Sequence, residues 1–367
     1  MIKFLARRLV QMALLFVVFL SIVWLLLQAM PGDIADTLVG NEPLHIQYVT
    51  YIKNFFQGEM GVSFSRYPQD VSTVIWQHLP RTIVLFLTAT LFAFWLGFKS
   101  GKLIAWGRGG RSEQGFIVGG VFLQTVFYPW FAIVMMWVFG FYLGWFPISR
   151  FIDARLWQGA PYDANDIFEQ MIVSALIVTV LYSLARYLIR RFAPTVVIEA
   201  RLRQAAAIVT VGGLILYWYL HPARTYVADI AHHTMLPVIT LGLVAFGATM
   251  LLTRSAMLET LGEDYILTAR AKGLPDRVIR DRHAARNAML PVTTSLVLQL
   301  AFVIGGGIVT EYVFSWPGTG QLLLQATVVS DIPLAAGILA VTGVLALVGH
   351  LVADVLYTVL DPRIRIS

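Results

Sequence analysis

The most densely charged stretch of the sequence is residues 262–291, which two long apolar runs flank, residues 235–253 and 288–310. It is too polar to enter lipid, since each charged residue at the centre of a membrane helix costs about 2.5–3.5 kcal/mol. Its cations are Arg270, Lys272, Arg277, Arg280, Arg282 and Arg286, and its acids are Glu263, Asp264, Asp276 and Asp281. The chemistry of such a stretch is charged recognition, so we interpret it as a membrane-surface segment that a soluble partner binds.

Local signals within this stretch predict two short helices separated at Gly273. Residues 264–272 contain good helix formers, with acids near the start and cations near the end, an order that complements the helix dipole. Glycine adopts a left-handed helix cap without strain, and Pro275 followed by Asp276 is typical of a helix start. The alternative is a solvated basic loop that only sets membrane orientation, because positive cytoplasmic loops are the rule.

Two other groups of residues carry reactive side chains but lack the spacing for a site. Residues 97–103 read GFKSGKL, with one residue too few between the glycines of a phosphate-binding loop and Leu103 in place of its hydroxyl residue. We interpret that segment as a turn at the membrane edge. His232 and His233 are neighbours whose side chains diverge on a helix, so we predict no metal site there.

The composition restricts the class of protein. Of the 367 residues, 58% are hydrophobic and 13% are charged, and the mean hydropathy is +0.73, whereas soluble domains contain about 25% charged residues. We therefore expect a polytopic membrane protein. The net charge of +6 is unevenly distributed and gives no support to nucleic-acid binding, and the absence of cysteine excludes disulfides and thiolate metal sites.

Residues 269–291 read ARAKGLPDRVIRDRHAARNAMLP. This stretch resembles the cytoplasmic loop of permease subunits of ATP-binding-cassette importers, in the group for dipeptides, oligopeptides and nickel. Residues 311–333 and both ends of the chain are similar to the same family, so the resemblance covers nearly everything except about residues 153–224. It implies an all-α, type I importer permease fold that binds no cofactor itself, with ATP and magnesium on separate ATPase subunits.

In that family the short helix ending at the matching glycine binds a groove on the ATPase. By resemblance, the contact residues here are Thr268, Ala269, Arg270, Ala271, Lys272, Gly273, Leu274 and Pro275. The general importer pattern has a glutamate and two alanines starting six residues before its glycine, where this chain has Leu267-Thr268-Ala269; this departure is typical of the peptide branch. The resemblance further implies a second, homologous permease subunit, two ATPase subunits and an extracytoplasmic substrate-binding protein as partners, with membrane lipid around them.

The elements that must position this loop are transmembrane helices, and about eight are predicted. Six of them correspond to helices of the family, and two form an inserted hairpin. The inserted helices either cross the membrane or lie in its interface. The predicted spans are residues 9–30, 82–98, one within 116–142, 171–185, 205–220, 235–253, 288–310 and 332–353. The predicted divisions are an N-terminal helix at 1–32, a periplasmic segment at 33–81, helices two and three at 82–152, the inserted segment at 153–228, and a core permease domain at 229–367 with its coupling loop at 254–287.

The distribution of basic residues predicts the orientation of these spans. Cytoplasmic segments of membrane proteins carry an excess of lysine and arginine. With eight spans and both termini inside, the outer segments hold few of the 27 basic residues, namely Lys53, Arg66, Arg81, Arg150, Arg155 and Arg224. We therefore expect a multi-pass protein of a bacterial or archaeal plasma membrane, with cytoplasmic N- and C-termini.

The seven apolar cores after the first span contain no Asp, Glu, Lys or Arg, whereas ion-coupled carriers usually keep ionisable residues at that depth. The chain is therefore predicted to be a non-enzymatic permease subunit that imports a peptide-like solute by alternating access, with separate ATPases as its motor. The alternatives are a non-transporting scaffold that recruits a soluble partner and an ion-coupled carrier.

Two outer segments, residues 33–81 and 311–331, are predicted to contact the substrate-binding protein. Aromatic side chains near span ends are predicted to be interface anchors, among them Tyr312 and Trp316. Dipeptides, longer peptides, modified peptides and nickel chelates all remain open as the solute.

Overall fold

The computed structural model describes residues 2–29, 42–192, 195–303 and 307–360. Helices account for most of these residues, and the β pairing within them is a single isolated bridge between Val62 and Asp70. The predicted all-α class is therefore confirmed. Residues 31–33 and 361–367, which contribute to the family resemblance, lie outside the described residues.

The first half of the described chain contains two short helices that were not predicted, α2 and α6. Helix α2 contacts α1, where Gln28 Nε2 donates to Gln47 Oε1 over 2.7 Å. The helices are α1 (Ile2–Ala29), α2 (Leu44–Gln57), α3 (Val71–Trp106), α4 (Arg111–Thr125), α5 (Tyr128–Met135, continued by a π-helix at Met136–Tyr142), α6 (Ala154–Trp157) and α7 (Ala164–Phe192).

The second half alternates long apolar helices with short connecting ones. These helices are α8 (Val196–Leu220), α9 (Arg224–Leu261), α10 (Asp264–Ala271), α11 (Asp276–Val278, continued by a π-helix at Ile279–Ala284), α12 (Ala285–Val303), α13 (Ile308–Val313), α14 (Thr319–Val328) and α15 (Ile332–Leu360). Prolines lie inside α3, α9 and α12, which membrane helices tolerate because neighbouring groups satisfy the freed backbone atoms.

The chain forms two compact units, and the boundary between them falls inside α9. Unit 1 contains the described residues up to 149 and from 236 onward, and unit 2 is Arg150–Met235. In unit 1, α12 packs against α15 and α3, and α1 packs against α15. Unit 2 contains all residues of the predicted insert, 153–228, and a few on either side. That this segment is an insertion relative to the family stays a prediction.

Five helices are long and apolar enough to cross a membrane within the described residues. They are Arg7–Gln28, Val71–Trp106, Ala164–Phe192, Arg224–Leu261 and Ile332–Val355, and a bent pair, Glu113–Thr125 with Tyr128–Tyr142, makes up to six. A polytopic membrane protein is therefore confirmed. The other two predicted spans form α8 and α12, which are helical but are not among these candidate spans, so the number eight stays a prediction.

The predicted third span is not one straight helix. The axes of α4 and of the helix that follows differ by 110°, and Val126 and Phe127 between them have extended backbones. Pro129 explains the break, because it cannot donate to the Thr125 carbonyl four residues earlier and its ring clashes with that carbonyl. The segment is thus a broken span or a re-entrant loop.

The turn predicted at the membrane edge for residues 97–103 is wrong, since these residues are helical within α3, which continues to Trp106. Their glycines serve helix packing. A Cβ atom at Gly97 would lie 2.7 Å from Thr249 Cβ, and one at Gly101 would lie 2.7 Å from Thr253 Cβ and 2.5 Å from the Met250 carbonyl. Glycine at these two positions therefore allows α3 and α9 to approach closely.

Unit 2 consists mainly of α7 packed along α8, with Trp218 Nε1 donating to Ser174 Oγ over 3.1 Å. At one end of the unit, the Asp229 carboxylate accepts hydrogen bonds from Trp157 Nε1 (2.8 Å) and the Asp153 backbone N–H (3.0 Å). His233 Nδ1 lies 3.2 Å from the same carboxylate. This histidine therefore has a structural partner within its own helix.

We expect Gly101→Ala to destabilise the protein by about 1–3 kcal/mol, because the added methyl group would overpack the contact of α3 with α9. The matched control is Gly115→Ala, since nothing lies within 4 Å of a Cβ atom at that helical position and alanine favours helix by up to about 1 kcal/mol. Thermal unfolding of the purified protein in detergent, followed by tryptophan fluorescence, measures both. Equal midpoints for the two variants would contradict the packing explanation.

Candidate partner-binding segment around Gly273

Helix α10 ends at Gly273 in a left-handed cap. Gly273 has φ +70°, its N–H donates to the Arg270 carbonyl (2.9 Å), and the Leu274 N–H donates to the Ala269 carbonyl (3.3 Å). This pair of bonds is the Schellman motif, which satisfies the last carbonyls of a helix and favours glycine at the left-handed position. The predicted helix end at Gly273 is confirmed.

The second predicted helix is not a separate short helix. Pro275 is the N-cap residue rather than the first helical one, and the helix that begins at Asp276 continues through the π-helical turn into α12. The reason is that no glycine or proline interrupts the chain between Asp276 and the start of α12. The polar segment therefore leads directly into the following apolar helix.

The inner face of α10 is buried in an apolar cluster that joins three longer helices. Ile266 is fully buried and Ala269 is 5% exposed. The other buried members are Ala105 of α3, Ala256 and Met257 of α9, Ile279 and Ala284 of the π-helix, and Ala285 and Ala288 in the first turn of α12. An eight-residue helix is marginal alone, so this burial is what holds α10 in place.

Polar contacts attach the same segment to the end of α3. The Asp281 carboxylate lies 2.8 Å from both the Arg280 guanidinium and Lys102 Nζ. The pKa of the Asp281 carboxyl is held well below its usual range, mainly by the hydrogen bond from Arg280 and to a lesser extent by Lys102. Arg270 lies over the Trp106 ring, 5.9 Å from its centroid. These contacts fix the orientation of the segment, although exposed ion pairs add little stability.

The structure separates the eight predicted contact residues by exposure. Ala269 is buried and Leu274 is half-buried against the cluster, so these two position the segment. The exposed residues are Thr268, Arg270, Ala271, Lys272, Gly273 and Pro275. Leu267 was not in the predicted set, yet 59% of it is exposed; a large apolar side chain one position after buried Ile266 is the signal that could have identified it.

The two predicted outer segments are joined by the Asp331 carboxylate. Its Oδ2 accepts hydrogen bonds from Ser63 Oγ (2.5 Å), Ser65 Oγ (2.6 Å) and the Ser65 backbone N–H (2.9 Å). Burial alone would raise the pKa of this carboxyl, but the serine hydrogen bonds lower it below its ordinary value. Residues far apart in the sequence are therefore held together as one surface.

A second buried carboxylate, that of Glu311 in α13, joins α3 to the start of α14. Glu311 is fully buried and accepts hydrogen bonds from Thr82 Oγ1 (2.7 Å) and the Gln321 backbone N–H (2.9 Å). Trp316 is also fully buried, and its Nε1 donates to the Arg81 carbonyl (3.2 Å). The prediction of Trp316 as an interface anchor is therefore wrong, because its ring belongs to this packed junction.

The exposed part of the joined outer segments is aromatic. Tyr67 is 81% exposed, Tyr312 is 61% exposed and Phe64 is 53% exposed. Residues 33–41 of the predicted outer segment lie outside the described residues, so the surface is defined here by residues 62–70 and 311–331.

Comparison with known proteins gives consistent matches. A family described as "Binding-protein-dependent transport system inner membrane component" matches residues 192–366. The chain is 32% identical to the dipeptide transport system permease protein DppB of Alkalihalophilus pseudofirmus, over 92% of this chain and 87% of that protein. It is 30% identical to DppB of Escherichia coli K12 (89% and 82%) and 28% identical to the oligopeptide transport system permease protein AppB of Bacillus subtilis (89% and 82%).

The 32% and 30% identities extend over most of both chains, well beyond the charged segment. The family match includes α10, its glycine cap and Glu311. The chain therefore belongs to the family of binding-protein-dependent transport system inner membrane components, the permease subunits of ATP-binding-cassette importers.

Proposed function

We propose that the chain is the permease subunit of an ATP-driven importer of peptides or peptide-like solutes, and that residues 267–275 bind a separate ATPase subunit. The observation that carries this proposal is the division of α10 into two faces. Ile266 and Ala269 are buried against three other helices, while Ala271, Lys272 and Pro275 beside the glycine cap are exposed. One face is available to a partner, and the other is fixed to apolar helices.

The same arrangement supports a mechanism of alternating access. Met257, Ile266 and Ile279 are each fully buried in the cluster, and close-packed interiors transmit displacement because they compress little. When two ATPases close on ATP, a force on the exposed face of α10 would move the ends of α3, α9 and α12 together. The permease breaks no bond; ATP and magnesium belong to the partner subunits.

The proposed assembly contains a second, homologous permease and an extracytoplasmic substrate-binding protein. The names of the relatives support peptides as the solute class. The surface held together by Asp331, with its exposed Phe64 and Tyr67, supports an outer docking site. With the Gly273 segment cytoplasmic, the positive-inside rule agrees with this orientation, because that segment is rich in arginine.

Lys272→Glu is expected to abolish peptide uptake and the stimulation of ATP hydrolysis in the assembled transporter, because it reverses a charge on the exposed face beside the glycine cap. Arg155→Glu is the control, since it reverses an exposed cation that belongs to unit 2 and not to residues 267–275. Uptake of labelled dipeptide and ATPase activity in proteoliposomes measure both variants. Normal coupled uptake with Lys272→Glu would remove this contact from the mechanism.

Substitutions at two neighbouring residues distinguish a role in positioning α10 from a role in contacting the ATPase. Ile266→Ala should destabilise the permease by about 2–5 kcal/mol, because it leaves a cavity in the cluster. Leu267→Ser should leave thermal unfolding unchanged and weaken co-purification of the ATPase, because that side chain is exposed. The opposite pattern, with Leu267→Ser unstable and still bound to ATPase, would mean that α10 presents a different face.

The orientation can be tested directly because the chain contains no cysteine. Ala271→Cys should react with a membrane-impermeant maleimide in inverted vesicles and be protected in intact cells. Tyr67→Cys, at a position 81% exposed, should show the reverse. Labelling of both cysteines from the same side would contradict the proposed topology, and labelling of Ala271→Cys from outside would exclude an ATPase contact.

A further inference from the structure

Unit 2 carries a concentration of arginines where α7 ends and α8 begins. We call it the arginine end; its members are Arg186, Arg190, Arg191, Arg201 and Arg203, all exposed. Of these five arginines, only Arg203 has an ion pair with a described residue, Glu199 at 3.9 Å. The arginine end therefore has a positive charge that the described protein atoms leave largely uncompensated.

Three cations of unit 1 have carboxylate partners. Lys102 lies 2.8 Å from Asp281, Arg254 lies 2.5 Å from Glu113, and Arg8 lies 3.2 Å from Asp354. In those cases the fold itself supplies the carboxylate. The arginine end has one carboxylate for five guanidinium groups, which leaves most of its charge available to an external anion.

The length of α7 indicates where that anion lies. With 29 residues, α7 is about 43 Å long at 1.5 Å per residue, which equals the thickness of a bilayer with its headgroups, about 40–45 Å. Arg186 and Arg191 are separated by about 7.5 Å along the axis, which is close to the depth of one headgroup layer. A helix that crosses the membrane therefore places these arginines among lipid phosphates.

The surroundings of the arginines are those of a lipid-facing surface. Tyr187 is 60% exposed and Leu184 is 53% exposed on α7, and Leu202 of α8 is 44% exposed. Exposed apolar side chains alternate with the cations, so the arginine end continues an apolar helix surface of the kind that acyl chains cover. Tyrosine at this level is typical of membrane interfaces.

We propose that the arginine end of unit 2 is a binding surface for anionic phospholipid, in which guanidinium groups hold lipid phosphates in the headgroup layer. Guanidinium suits this ligand because its planar fork binds phosphate oxygens in pairs. A basic cluster next to a membrane helix attracts acidic lipid with about 1 kcal/mol per residue near the surface. This binding goes beyond the proposed transport function and does not rest on it, because it requires only that α7 crosses the membrane.

The test is the retention of lipid by the purified full-length chain. Phosphatidylglycerol or phosphatidylcholine is titrated into delipidated protein in detergent, and native mass spectrometry counts the bound molecules. We expect the wild type to prefer phosphatidylglycerol. In Arg190→Gln/Arg191→Gln the association constant for that lipid should fall about 25-fold at low salt, about fivefold for each arginine, with no change for phosphatidylcholine.

The matched control is Arg150→Gln/Arg155→Gln, which removes the same charge from exposed positions of unit 2 outside the arginine end. This variant should keep the preference of the wild type, and sodium chloride should weaken the preference because exposed charges are screened. An equal loss in both double variants would overturn the proposal. Equal binding of the two lipids by the wild type would overturn it even if the Arg190→Gln/Arg191→Gln variant failed to fold.

Discussion

The burial of Ile266 against three helix ends is the contact on which the rest of unit 1 depends. It attaches a polar, eight-residue helix to Ala105 of α3, Met257 of α9 and Ala288 of α12. Most of the cluster is alanine, and small side chains allow helix backbones to come close enough for a short helix to be held on several sides. A displacement of α10 without its neighbours would open cavities, which close-packed interiors resist.

Helix α3 connects the cluster around Ile266 to the helices α14 and α15, which pack against its other end. Val71, Val74 and Ile75 at its start are buried with residues of α14 and α15, and Ala105 near its end belongs to the cluster around Ile266. The helix has 36 residues and is therefore about 54 Å long. Both of its ends are fixed in packed clusters, and its last third lies against α9 at Gly97 and Gly101. In the proposed mechanism, a movement at one end of α3 would be carried to the other.

The sequence predicted the helical class and the end of α10 because both follow from local chemistry. A long run of apolar residues predicts a helix in lipid, and the cap at Gly273 follows because glycine adopts the left-handed conformation without strain. It did not predict the contacts of Asp331 with Ser63 or of Glu311 with Thr82, because those pairs are more than 200 residues apart in the chain. The break before Pro129 could have been predicted from proline chemistry, but the continuous apolar composition of residues 116–142 favoured a single span. The exposure of Leu267 could have been predicted from helix periodicity.

Charge at the membrane surface is satisfied in two ways in this protein, and the difference bears on what each unit can do. In unit 1, Asp281 and Glu113 hold Lys102 and Arg254 in fixed geometry, which would suit the force transmission proposed for this unit. In unit 2, four of the five arginines at one end have no such partner among the described residues. Fixed pairs resist displacement, whereas exposed guanidinium groups exchange phosphates as lipids diffuse. The two patterns therefore suit a rigid moving part and a lipid-anchored one.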